Sequence, residues 1–89
     1  MAKKRRKLNK DFEKRIYSSK KNVELVLAKI YDIDDEDIQK EYMSAFNSVL
    51  SFYDELKEDY EQQGFNDNSE VLLTNYNNAF NLFKLEFEI

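Results

Sequence analysis

The chain of 89 residues contains no proline and a single glycine, Gly64. Both residue types destabilise the interior of a helix, so their near absence permits long, uninterrupted helices. The chain also lacks cysteine and histidine, which excludes disulfides and Cys–His zinc sites as sources of stability. A chain of this length forms one small domain, whose stability must come from packed apolar side chains, including seven Phe and six Tyr.

Residues 10–33 carry apolar side chains at the three- and four-residue spacing of a helix with one buried face. These positions are Phe12, Ile16, Val23, Val26, Leu27, Ile30 and Ile33, and Ser19 shares a heptad position with Phe12, Val26 and Ile33. Several odd-numbered positions between 23 and 33 are apolar too, as in a strand. The helical pattern is longer and contains no turn residues. We therefore predict a first helix at 10–33.

A second helix is predicted at 35–63, after the acidic segment 31–38. Asp34 or Asp35 is a suitable N-cap, and Gly64 is a natural stop. The apolar positions form two stripes, Ile38, Tyr42, Ala45, Val49, Phe52 and Leu56 in one, and Phe46, Tyr53 and Tyr60 in the other. A face this wide predicts contact with two neighbouring helices or with a second copy of the chain.

A third helix is predicted at 69–88, where Leu73, Tyr76, Phe80, Phe83 and Phe87 repeat at helical spacing. Its last part, 83–89, also alternates apolar and charged residues, which is a strand pattern whose edge could pair with another protein. If this part is helical, it has a second apolar face, formed by Leu82, Leu85 and Ile89. The predicted fold class is all-α, a small three-helix bundle at 10–89 preceded by a basic, flexible arm at 1–9.

Most enzyme chemistry is excluded by composition. Without His or Cys there is no Ser–His–Asp or Cys–His nucleophile, and one Gly cannot build a phosphate-binding loop. The acidic run at 32–37 does not form an EF-hand, because loop positions 6 and 12, counted from Asp32, hold Asp37 and Met43 instead of Gly and Glu. The sequence therefore predicts a non-enzymatic protein without a metal or other cofactor.

Charge divides the chain into two parts. Residues 1–21 contain ten basic and two acidic side chains, a net charge of +8, and residues 22–89 contain four basic and sixteen acidic, a net charge of −12. The acidic body predicts an interaction module that docks on a basic partner surface. Such a module could be an adaptor, or a phage- or plasmid-type inhibitor that presents carboxylates in place of phosphates. Its partner-binding residues would be Tyr42, Tyr53, Tyr60, Asp54, Glu55, Glu58, Asp59 and Glu61.

The basic head supports an alternative function, which is nucleic-acid binding through residues 3–21, with the acidic body used for dimerisation or recruitment. The phosphate-binding residues would be Lys3, Lys4, Arg5, Arg6, Lys7, Lys10, Lys14 and Arg15. A solubilising tail and an intramolecular partner for the acidic body are competing interpretations of the head. The longest apolar stretch, LVLA at 25–28, is too short to span a membrane, and a cytoplasmic location is expected.

Overall fold

The computed structural model describes residues 7–87, which form three α-helices: α1 (Lys10–Tyr31), α2 (Glu36–Gln63) and α3 (Ser69–Phe87). Each helix runs antiparallel to the one before it. Asn9, at the start of α1, contacts Tyr60 near the end of α2, and Tyr42 near the start of α2 contacts Phe87 at the end of α3. The predicted all-α three-helix bundle is confirmed.

Polar side chains cap the starts of α1 and α2, at Asn9 and at the predicted Asp35, and the predicted Gly64 ends α2. The Asn9 carboxamide oxygen accepts from the Phe12 N–H, and an Asp35 carboxylate oxygen accepts from the N–H groups of Asp37 and Ile38. Gly64 ends α2 with a φ of 70°, which other residues adopt only with strain. The first helix ends at Tyr31, two residues earlier than predicted. The Gln39 side chain donates to the last α1 carbonyls, at Ile30 and Tyr31.

The core lies along the contact of all three helices, and each helix contributes four buried apolar residues. They are Phe12, Val23, Val26 and Ile30 from α1, Phe46, Val49, Tyr53 and Leu56 from α2, and Leu73, Tyr76, Phe80 and Phe83 from α3. Ser19 is buried among them, as its heptad position requires, and its backbone carbonyl accepts a hydrogen bond from the Tyr76 hydroxyl at 3.2 Å. The predicted helical spacing in all three segments therefore identifies most of the core.

The predicted apolar face of α2 is wider than the buried face. Ile38, in the first turn of α2, is 44% exposed, and Phe52, about 100° around the helix from the buried Tyr53, is 37% exposed. Two neighbouring helices account for the buried part of α2, as predicted.

The last turns of α3 are helical through Phe87, so the strand alternative is wrong for residues 83–87, and residues 88–89 lie outside the described part of the chain. The rings of Phe83 and Phe87 stack at 4.9 Å, and Tyr42 packs against both. Stacking at this distance requires a helix, in which residues four apart are about 6 Å apart along the axis, whereas in a strand they are about 13 Å apart. Leu85 is then turned outwards and is 78% exposed.

Residues 1–6 of the predicted arm lie outside the described residues, whereas residues 7–9 lie against the bundle. The Lys7 carbonyl accepts from the Phe65 N–H at 2.6 Å, and the Asn9 N–H donates to the Tyr60 hydroxyl at 3.1 Å. The chain therefore enters α1 at the end of the bundle where α2 finishes and α3 begins.

Candidate protein-binding surface

A groove of about 260 Å³ lies between α1 and α2, and we call it the tyrosine groove. Its lining consists of Glu13, Ile16, Tyr17, Lys20, Tyr53, Lys57, Tyr60 and Glu61. Tyr53 is only 8% exposed, whereas Tyr17 is 57% exposed. Tyr53 therefore belongs to the floor of the groove and Tyr17 to its wall, and charged residues of both signs stand around them.

The geometry of the groove follows from the register of the two helices. Tyr53 and Tyr60 are seven residues apart in α2 and so lie on the same face, two turns apart. The Tyr60 hydroxyl donates to the Glu13 carboxylate at 2.6 Å and accepts from the Asn9 N–H at 3.1 Å, and its ring lies 5.7 Å from that of Phe12. These contacts hold the Tyr60 ring in position between the two helices.

The Tyr53 hydroxyl makes no hydrogen bond within residues 7–87. Every buried side-chain polar atom in that part of the chain has a hydrogen-bond partner, so this hydroxyl is in contact with solvent. Burial raises the pKa of the Tyr53 hydroxyl, and the nearby carboxylates of Asp54, Glu24 and Glu61 raise it further. Tyr53 therefore presents a neutral hydroxyl that can donate a hydrogen bond to an incoming group.

An acidic face adjoins the groove on α2. Asp54, Glu55 and Glu58 line this shallow surface together with Asn47, Leu50 and Ser51. The two surfaces share a border, because Lys57 and Glu61 of the groove each lie three residues after Asp54 and Glu58 of the acidic face, and residues three apart are neighbours on a helix. Within residues 7–87, the side chains of Asp54, Glu55 and Glu58 make no hydrogen bond or ion pair.

Like charges at a spacing of four on a helix destabilise it by a few tenths of a kcal/mol. Asp54 and Glu58 form such a pair, and Glu55 and Asp59 form another. The acidic face therefore costs the isolated protein stability, and a basic partner that neutralises these carboxylates would remove that cost.

Two of the predicted partner-binding residues have structural contacts elsewhere. Tyr42 lies eleven residues before Tyr53, about 16 Å along the helix, and packs against Phe83 and Phe87. Asp59 accepts a hydrogen bond from the Asn66 side chain at 2.8 Å, and the same amide donates to the Gly64 carbonyl at 2.9 Å. The remaining predicted residues line the tyrosine groove or the acidic face.

The α1 wall of the groove, formed by Ile16, Tyr17 and Lys20, was not predicted to bind a partner. Tyr17 lies next to Ile16 in sequence but points away from the core, and the Lys21 ammonium lies 5.2 Å from the centre of its ring. A large aromatic residue one position from an apolar stripe is the signal that could have indicated this wall.

The predicted phosphate-binding residues are divided by the structure. Lys3, Lys4, Arg5 and Arg6 lie outside the described part of the chain, and Lys7, Lys10 and Lys14 are exposed. Arg15 instead forms two hydrogen bonds to the Glu70 carboxylate, at 3.0 and 3.1 Å, and its guanidinium lies over the Phe12 ring. Lys10 and Lys14, four residues apart, share an exposed face of α1, which continues the basic head onto the bundle.

No protein-family model matches the chain, and neither a curated protein nor a solved structure matches it. Among residues 7–87, acidic side chains do not gather into a group of three or more that could hold a metal ion. Within residues 7–87, no helix has the length and the apolar composition that are needed to cross a membrane.

Proposed function

We propose that this protein is a non-enzymatic binding module that docks on a basic, amphipathic segment of another protein. The observation that carries the proposal is the shared border on α2 between the tyrosine groove and the acidic face. An apolar side chain of the partner enters the groove, and neighbouring Lys or Arg side chains contact Asp54 and Glu58. Apolar centres with charged rims are typical of protein interfaces, in which Tyr is enriched.

The open shape of the groove favours a protein partner over a small ligand. Sites for drug-sized molecules enclose most of the ligand, whereas the tyrosine groove, of about 260 Å³, is open to solvent. A single large side chain of a docking helix suits it better. A phage- or plasmid-type inhibitor that occupies the nucleic-acid-binding surface of another protein is one form of this function, and an adaptor is another.

A charge reversal on the acidic face should weaken binding to a basic amphipathic peptide. We expect Glu58→Lys to raise the dissociation constant of a fluorescein-labelled leucine–lysine helical peptide roughly fivefold to tenfold, because it replaces attraction with repulsion. Fluorescence anisotropy titration gives this constant. Tyr17→Ala should also weaken binding, because it removes one wall of the groove.

Glu41→Lys is the matched control. Glu41 is exposed on the same helix, and like Glu58 it has an Asp four residues before it and an uncharged residue four residues after it. Both substitutions therefore change the net charge by the same amount and remove the same like-charge pair at a spacing of four. Equal weakening by the two would show that the peptide responds only to net charge, which contradicts a site at Glu58. Co-purification from the native host then identifies the natural partner.

Nucleic-acid binding through the basic head is a second candidate, favoured by the exposure of Lys7, Lys10 and Lys14 close to the basic residues 3–6 in sequence. Deletion of residues 2–6 is the suitable test, because it retains the Lys7 and Asn9 contacts to the bundle. In gel-shift titrations at about 50 and 200 mM salt, we expect the deletion to reduce the salt slope by about 0.9 for each phosphate that the shortened head no longer neutralises. Absence of binding by the full chain at low salt would exclude this function.

A further inference from the structure

The outward face of α3 differs in character from the other helix surfaces. Val71, Asn75, Asn78, Leu82 and Leu85 follow one another at spacings of four and three, which places them along one side of the helix. Val71, Leu82 and Leu85 are 57%, 65% and 78% exposed. The core residues Leu73, Tyr76, Phe80 and Phe83 occupy the opposite side. We call this outward stripe the α3 face.

Charge is missing from most of this helix. Residues 71–83 include no Asp, Glu, Lys or Arg, in a chain of which 36% is charged. Within residues 71–83 the exposed positions hold only Val, Leu, Thr and Asn, whereas the exposed positions of α1 and α2 carry many charged residues. A helix surface that only contacts water has no need to lack charged residues. Loss of charge together with exposed apolar side chains is the compositional signature of an interface centre.

We infer that the α3 face joins two copies of this chain in a symmetric dimer. Residues 22–89 carry a net charge of −12, so a two-fold pairing through the acidic face of α2 would place carboxylates of the two copies against one another. A two-fold interface places the same patch of each copy against itself, and residues 71–83 carry no charge that such a pairing would bring together. At the ends of an antiparallel pairing Glu70 of one copy approaches Glu86 of the other, and the Arg15 guanidinium that is bonded to Glu70 offsets this repulsion. A second copy is therefore the occupant whose charge fits this face best.

The spacing along α3 also defines the arrangement. Val71 and Leu85 are each seven residues from Asn78, so an antiparallel pairing about Asn78 brings Val71 of one copy opposite Leu85 of the other. The two Asn78 side chains then meet at the symmetry axis. Each carboxamide has both donors and an acceptor, so the two can bond to each other. A central polar pair of this kind determines the register of helix pairs in coiled coils.

The dimer leaves the tyrosine groove and the acidic face open, because both lie on the side of α2 towards α1. Each dimer would then present two docking sites, and a partner with two basic segments would bind with increased avidity. Dimerisation does not depend on the proposed partner binding, and the peptide titration above tests the latter separately.

Sedimentation equilibrium of the full chain tests the dimer. We expect a dimer for the wild type, and a dissociation constant at least about a hundredfold higher for Leu82→Glu/Leu85→Glu, which places four carboxylates in the interface. Both leucines are exposed in the bundle, so the circular dichroism spectrum should be unchanged. The control is the single substitution Leu25→Glu, at a leucine of α1 that is 62% exposed, which should leave the dimer intact. A monomeric wild type, or a double variant that remains dimeric, would overturn the inference.

Cross-linking tests the arrangement, because the chain has no native cysteine. Asn78→Cys should oxidise to a covalent dimer, since the two Cα atoms come within the roughly 4–7 Å that a disulfide requires. Asn77→Cys is the control, because the neighbouring Asn77 lines the groove between α1 and α3 instead. Equal cross-linking of the two variants would contradict pairing about Asn78.

Discussion

Replacement of Phe46 by alanine is expected to lower the free energy of unfolding by about 3–5 kcal/mol, the range for loss of a buried aromatic side chain. Phe46 is fully buried, and its ring lies 4.9 Å from that of Phe83 and 6.3 Å from that of Phe80. The cavity left behind lies between α2 and α3, where both helices are held by their own aromatic contacts and cannot easily close it.

This loss is a large part of the total free energy of unfolding of the protein. Domains have a stability of roughly 0.05–0.15 kcal/mol per residue, or about 4–13 kcal/mol for a chain of this length, so the variant is expected to be partly unfolded near body temperature. Urea denaturation followed by circular dichroism measures the effect. Phe52→Ala is the matched control, since Phe52 lies on the same helix and is 37% exposed. Comparable losses in the two variants would contradict the assigned core.

The second large effect is loss of stability at alkaline pH, which originates at Tyr76. The Tyr76 side chain is 1% exposed, and its hydroxyl donates to the Ser19 carbonyl. Burial raises the pKa of Tyr76 from 10.0 to about 12, because the phenolate would lose its hydration. The folded protein therefore retains this proton over a pH range in which the unfolded chain has released it.

The sign of the pH effect follows from this difference. The contribution of Tyr76 to stability is complete below pH 10 and is lost as the pH rises through about 12. At about 1.4 kcal/mol for each pH unit, the loss amounts to roughly 2–3 kcal/mol. Tyr53, whose pKa is also raised by burial, adds to the decline in the same direction.

Urea denaturation between pH 8 and pH 12 tests this explanation. Tyr76→Phe should cost about 1 kcal/mol at neutral pH, because the hydrogen bond to Ser19 is removed, but its stability should decline less steeply than that of the wild type above pH 10. Tyr31→Phe, at a residue that is 65% exposed, should keep the wild-type decline. If all three proteins lose stability in parallel, Tyr76 is not the origin of the effect.

The elements of the fold were predictable because their signals are local. Absence of proline and the apolar spacing between Phe12 and Ile30 are enough to specify α1, and Gly64 ends α2 because its positive φ is accessible to glycine. The Asp35 cap likewise depends only on the next three residues. The acidic face was predictable for the same reason, since Asp54, Glu55 and Glu58 share one helix.

Tertiary structure alone decided which residues of different helices meet. The tyrosine groove needs Tyr17 of α1 beside Tyr53 of α2, and Arg15 is bonded to Glu70, 55 residues away. Sequence periodicity also cannot separate Phe83, which is buried, from Leu82 and Leu85, which are exposed, because each belongs to an apolar stripe of helical spacing. A stripe shows which residues share a side of a helix. Which side is buried depends on the packing of the other two helices, and that packing leaves the α3 face outside.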